Sequence, residues 1–122
     1  MTEPDLIMIE VGRGIELNQQ GERDAARTLL ADLWERVGPD GDPLYRCAIA
    51  HSLADAHDDP HEELAWDLRA LDAADSITDE RARQVGMVGP VAGFYPSLHL
   101  NLGDVYRRLG DGEAARRHLA AG

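Results

Sequence analysis

Three histidines and four acids share one twelve-residue window: His51, His57 and His61 lie among Asp55, Asp58, Asp59 and Glu62. Imidazole and carboxylate ligate zinc, iron and manganese, so His51, Asp55 and His57 offer a ligand set for a small metal-dependent enzyme. His51 and Asp55 share a helix face at i, i+4, but Pro60 stands between His57 and His61 and starts a new helix. The spacing matches no familiar metal motif. The same residues have a purely structural reading: Asp59 caps a helix, Glu62 and Glu63 complement its positive end, and His57 packs as a ring. That reading is preferred, so no metal, cofactor or catalytic residue is expected.

Nucleophilic chemistry has weaker footing. Cys47, the sole cysteine, sits mid-helix among apolar residues with no glycine elbow, and reads as a buried, inert thiol. Ser52 and Ser97 share that weakness. Gly86-Met87-Val88-Gly89-Pro90 lacks both the lysine and the preceding strand of a phosphate-binding loop.

The frame for these residues is a chain of 122, 43% apolar and 29% charged, which fits one domain over residues 1–122. A single cysteine excludes an internal disulfide. The longest aliphatic run, Leu6 to Ile9, is too short to span a bilayer, and no basic start leads into an apolar core, so the expected address is the cytoplasm. The net charge is −11, from 12 cations, all of them arginine, and 23 acids. A phosphate backbone demands a basic face, so nucleic acid is not an expected partner, nor is a membrane. Residues 96–122 are the exception at net +1, through Arg107, Arg108, Arg116 and Arg117, which read as solvated helix faces.

Apolar residues recur at three- and four-residue spacing and period-two alternation is scarce, so the fold class is all-α. Thr2-Glu3-Pro4-Asp5 resembles a capping box opening a helix that ends before Gly21. The second runs from about Glu22 to Val37, with Ala26, Leu29, Leu30, Leu33 and Val37 on one stripe and a left-handed exit at Gly38 before Pro39. Asp42-Pro43 and Asp59-Pro60 each give an N-cap followed by an N1 proline, starting helices to about Asp58 and Asp75. Residues 76–95 form an irregular insertion: Thr78-Asp79-Glu80 begins a short extra helix to Val85, and 87–94 is a loop in which Phe94 and Tyr95 fold back over the face. Pro96 opens a helix to Leu109, and the last starts near Gly112. Ala114, Ala115, His118 and Leu119 then form an apolar stripe with no following helix to cover it, which makes a second copy of the chain an alternative partner.

Self-similarity orders these helices. Ser52-Leu53-Ala54-Asp55-Ala56-His57 matches Asn101-Leu102-Gly103-Asp104-Val105-Tyr106 in chemical type, 49 positions on. Gly14, Leu17, Gly21 and Ala26 repeat the spacing of Gly103, Tyr106, Gly110 and Ala115. Small Gly103 and Ala115 let two helices cross closely, Tyr106 fills the adjacent gap and Gly110 makes the turn. The segment Asn101-Leu102-Gly103-x-x-Tyr106-x-x-x-Gly110-Asp111-x-x-x-Ala115 resembles the tetratricopeptide repeat (TPR) family over one whole hairpin. Trp66-Asp67-Leu68-Arg69-Ala70-Leu71 and Gly93 to Leu102 are similar to small stand-alone bacterial members. The chain departs in having His57 for the tyrosine, Ala54 for the glycine and Arg13 for a large apolar residue. Its offsets of 40 and 49 also exceed the family's unit of about 34.

The resemblance implies a right-handed superhelical stack of three antiparallel hairpins, about 3–37, 43–75 and 96–121, made of six main helices plus the short extra one. It implies a non-catalytic module binding a protein or peptide segment in a concave groove. That groove would present Val11, Ile15 and Asn18, then His51, Asp55 and Asp58, then Leu100, Asn101, Asp104 and Arg107. The family's carboxylate clamp is matched only at Asn101, because Val11, His51 and Leu100 stand where it has lysine. Asp55 and Asp104 favour a cationic segment instead. Trp66, Leu68, Leu102 and Tyr106 are the expected energetic centre.

Overall fold

Two Asp-Pro pairs divide the middle of the chain. In the computed structural model, which describes residues 6–78, 80 and 95–121, Asp42 and Asp59 each accept a backbone N–H at 2.9 Å, from Leu44 and His61. The proline that follows each cap needs no hydrogen bond at the first helical position. Helices α3 (Pro43–Ala56) and α4 (Pro60–Ala74) begin there. Before them come α1 (Leu6–Gln19) and α2 (Arg23–Val37); after them come α5 (Tyr95–Arg108) and α6 (Gly112–Ala121), which opens with Asp111 accepting from Ala114 N at 3.0 Å. No strand occurs among the described residues, and the fold is all-α. The Thr2 cap, the short extra helix to Val85, the 87–94 loop and the packing of Phe94 and Tyr95 lie outside the described residues.

Each helix packs on the next, α1 on α2 through to α5 on α6, and α1 also touches α3. Packed neighbours joined by links of only a few residues run antiparallel. Gly21 and Gly110 end α1 and α5 with the same φ of +84°, a turn that costs a side-chain-bearing residue about 1 kcal/mol or more. Gly38 has the positive φ of 74° that the exit requires, but its ψ of 169° lies outside the left-handed helical region, in one that is open almost only to glycine. Arg46 holds that exit, donating to the Gly38 carbonyl while its guanidinium stacks 4.1 Å over the Trp34 ring.

Close approach is visible at two equivalent glycines. A Cβ on Gly14 would fall 2.7 Å from Leu30, and one on Gly103 2.7 Å from Leu119 and 3.3 Å from the Ala115 carbonyl. The core has two parts. Val11, Leu30, Leu33, Ile49 and Leu53 fill the space among α1, α2 and α3, while Leu44, Ala50, Ala70, Ala74, Ile77 and Leu98 join α3, α4 and α5. Trp34 and Trp66 meet edge to face at 5.1 Å and touch both parts. Leu102 is fully buried as expected, but Leu68 is 40% exposed, on the side of α4 opposite Ala70 and Ala74. The buried arc of α4 is built from small residues, and its leucines lie at the arc's margins or beyond. No helix among the described residues is long and apolar enough to cross a membrane.

Candidate functional site

The sequence-selected residues fall into pairs that tie α1, α3 and α5 together. Asn18 Nδ2 on α1 donates to the Asp55 carbonyl at 3.3 Å, and Asn101 Nδ2 on α5 donates to His51 Nδ1 at 3.4 Å. Ile15 and Leu100 are exposed beside them, whereas Val11 is 3% exposed and belongs to the core instead of lining an open face. Helix α3 ends here with its carbonyls satisfied from α2: Arg23 donates to Asp55 O at 3.0 Å and Arg27 to Ala56 O at 2.8 Å. Cations at a helix C-terminus complement its negative dipole end. Arg23 also pairs with Asp58 at 2.9 Å.

Asp104 is already matched. Arg107 donates to its Oδ1 at 2.8 Å and Arg108 to its Oδ2 at 3.0 Å, and those bonds hold the carboxyl below the usual carboxylate range. It is therefore less open to an incoming cation than its sequence position implied. Arg108 reaches on from α5 to Glu63 on α4. His57 takes the structural role: its Nδ1 donates to the Leu53 carbonyl at 2.7 Å and its ring stacks on Trp66 at 6.4 Å. Among the described residues, no three His, Cys, Asp or Glu side chains converge closely enough to hold a metal ion. Cys47 is half-buried, and burial pushes its thiol up to about 11, so little thiolate forms at neutral pH.

The residue missed by sequence reasoning is Asp67. It lies on the buried arc of α4, only 3% exposed, and no hydrogen-bond donor reaches its Oδ1. Burial first, then Glu63 and Asp55, push its carboxyl up to about 7, against a smaller opposing pull from Arg108. Its signal was present in the spacing: Ala70 and Ala74 stand at i+3 and i+7, so an acid at 67 shares their inward side.

A second polar cluster joins α5 to α6. His99 and His118 are hydrogen-bonded through their Nδ1 atoms at 2.9 Å, and Tyr106 stacks on His118 at 5.4 Å. Tyr106 thus fills the gap beside Gly103 as its type suggested. Burial, then the neighbouring His99 and Arg117, hold His118 below the usual histidine range.

Comparison with models of known families, with characterised proteins and with solved structures returns no match.

Proposed function

We propose that the three helix pairs stack as a right-handed, TPR-like superhelix and that the protein is a non-catalytic module binding a protein or peptide segment across α1, α3 and α5. The observation that carries this reading is the pairing of Asn18 with Asp55 and of His51 with Asn101, half-buried amides and imidazole on three successive first helices. Such groups exchange one hydrogen-bond partner for another at small net cost, which suits recognition of an extended backbone. The matching approaches at Gly14 and Gly103 and the shared turn at Gly21 and Gly110 support the repeat. The TPR family binds peptides on the corresponding face.

Panning a random peptide library against the full chain tests the proposal. Enriched peptides should bind the parent and lose most of their affinity for a His51→Ala, Asn101→Ala double variant. No enrichment, or equal binding to the variant, contradicts it. A regulator acting through a homodimer surface is the second reading, favoured by Leu100 and Leu119, which remain 59% and 48% exposed beside the α5–α6 pair. Light scattering at increasing concentration separates the two.

A further inference from the structure

Helix α6 has little apolar grip on the rest of the molecule. The side chains it buries are Ala114 and Ala115, and its one large apolar residue, Leu119, is 48% exposed. Two alanines remove far less apolar area from water than Leu30, Leu33 and Leu53 do among α1, α2 and α3. Its packing is on α5.

What joins the two helices besides is a pair of imidazoles. His99 on α5 and His118 on α6 have Nδ1 atoms 2.9 Å apart, ring centroids 5.1 Å apart and planes inclined by only 26°. The centroids are separated by more than the nitrogens by about two ring radii, so the rings meet edge to edge, the geometry of a hydrogen bond in the ring planes. Tyr106, also on α5, lies parallel to His118 at 5.4 Å.

One proton lies between the two Nδ1 atoms, held by one and accepted by the other. A neutral pair satisfies this bond, and so does a pair with one ring charged. Two imidazolium rings do not: both Nδ1 atoms then carry hydrogen, no acceptor is left, and two like charges face each other at close range. Burial, then His99 from α5 and Arg117 from α6, oppose the charging of His118.

We propose that the His99–His118 pair is an acid-sensitive clasp, which holds α6 on α5 near neutral pH and releases it when both rings are protonated. Neither part of the core described above draws a residue from α6, so α1 to α4 stay folded when it leaves. Release uncovers the surface at Gly103, against which Leu119 and the Ala115 carbonyl pack. An imidazole freed from the clasp takes up its proton near pH 6.5, as an ordinary histidine does. Below that pH the released state binds more protons than the docked one, so docking weakens as pH falls, by about tenfold per unit for each proton of difference. The clasp acts whatever the face across α1, α3 and α5 binds.

The test follows the full chain, labelled with ¹³C and ¹⁵N, by NMR from about pH 7.5 to about pH 5, reading the helicity of each helix from its Cα shifts. Residues 112–121 should lose their helical shifts as the pH falls, while residues 43–74 keep theirs. His118→Asn, which keeps a donor and an acceptor beside His99 but cannot become charged, should hold α6 helical to the lowest pH. Arg117→Gln removes a cation that opposes charging and should move release to lower pH. Should His118→Asn free α6 already at neutral pH, exposed Arg117 carries the test through its shift alone. The proposal is overturned if α6 stays helical at about pH 5 in the parent, or melts together with α3 and α4. It is equally overturned if release keeps its midpoint in Arg117→Gln, or in a His118→Asn chain whose α6 is docked at neutral pH.

Discussion

At Asp67 and His118 the fold works against the ordinary titration of a side chain, and in opposite directions. Asp67 sits at about 7 in the folded chain and near the usual carboxylate range when unfolded. Between about pH 4 and 7 the folded form holds a proton that the unfolded form has lost, so stability falls as pH rises, by at most about 1.4 kcal/mol per unit. His118 is held below its usual range, so below about pH 6.5 charging is resisted and stability falls as pH drops. Denaturant melts of the parent and of Asp67→Asn across this span isolate the first effect, because the histidine contribution is common to both. The Asn variant should gain on the parent steadily up to about pH 7 and keep that lead above it; a constant gap would show that Asp67 titrates normally. Neither residue was marked for this role by its sequence. An acid on a helix is expected to face water, and only its register with Ala70 and Ala74 placed it inward. By contrast, the placement of Asn18, His51 and Asn101 on α1, α3 and α5 was legible, because apolar spacing and the cap signals located those helices.

Among the elements, the caps could be read most directly. Asp42-Pro43 and Asp59-Pro60 are local signals that depend on no distant contact, and both operate as read. Leu68 could not be placed the same way, since hydrophobic spacing alone does not reveal which stripe of α4 finds a neighbour. The two glycine crossings give an unequal pair of predictions. Alanine at either position gains about 1 kcal/mol of helix propensity. Gly14→Ala pushes a methyl into fully buried Leu30, an overpacking cost of about 1–3 kcal/mol, so the net effect should be destabilising. At Gly103 the obstructing Leu119 is half-exposed and can swing outward, leaving only the Ala115 carbonyl at 3.3 Å to give by a few tenths of an ångström, so Gly103→Ala should lose less than Gly14→Ala. Thermal melts of both variants decide it; equal losses would mean that Leu119 is as fixed as Leu30.

Over the whole molecule, the two parts of the core are coupled by one aromatic contact, Trp34 on Trp66, with Arg46 and Arg69 stacked on the rings. Trp66→Ala should cost about 3 kcal/mol, the low end for tryptophan truncation because the ring is only half-buried. A melting temperature that scarcely moves would show that the core parts stand independently. A chain of net charge −11 should also bind cationic segments less tightly as salt rises. The most direct measurement of the proposed binding face is an NMR titration of isotope-labelled protein with a library-selected peptide. Backbone shifts gathered at Asn18, His51, Asp55 and Asn101 are the predicted result. Shifts gathered instead around Leu68, on the outer side of α4, would contradict it.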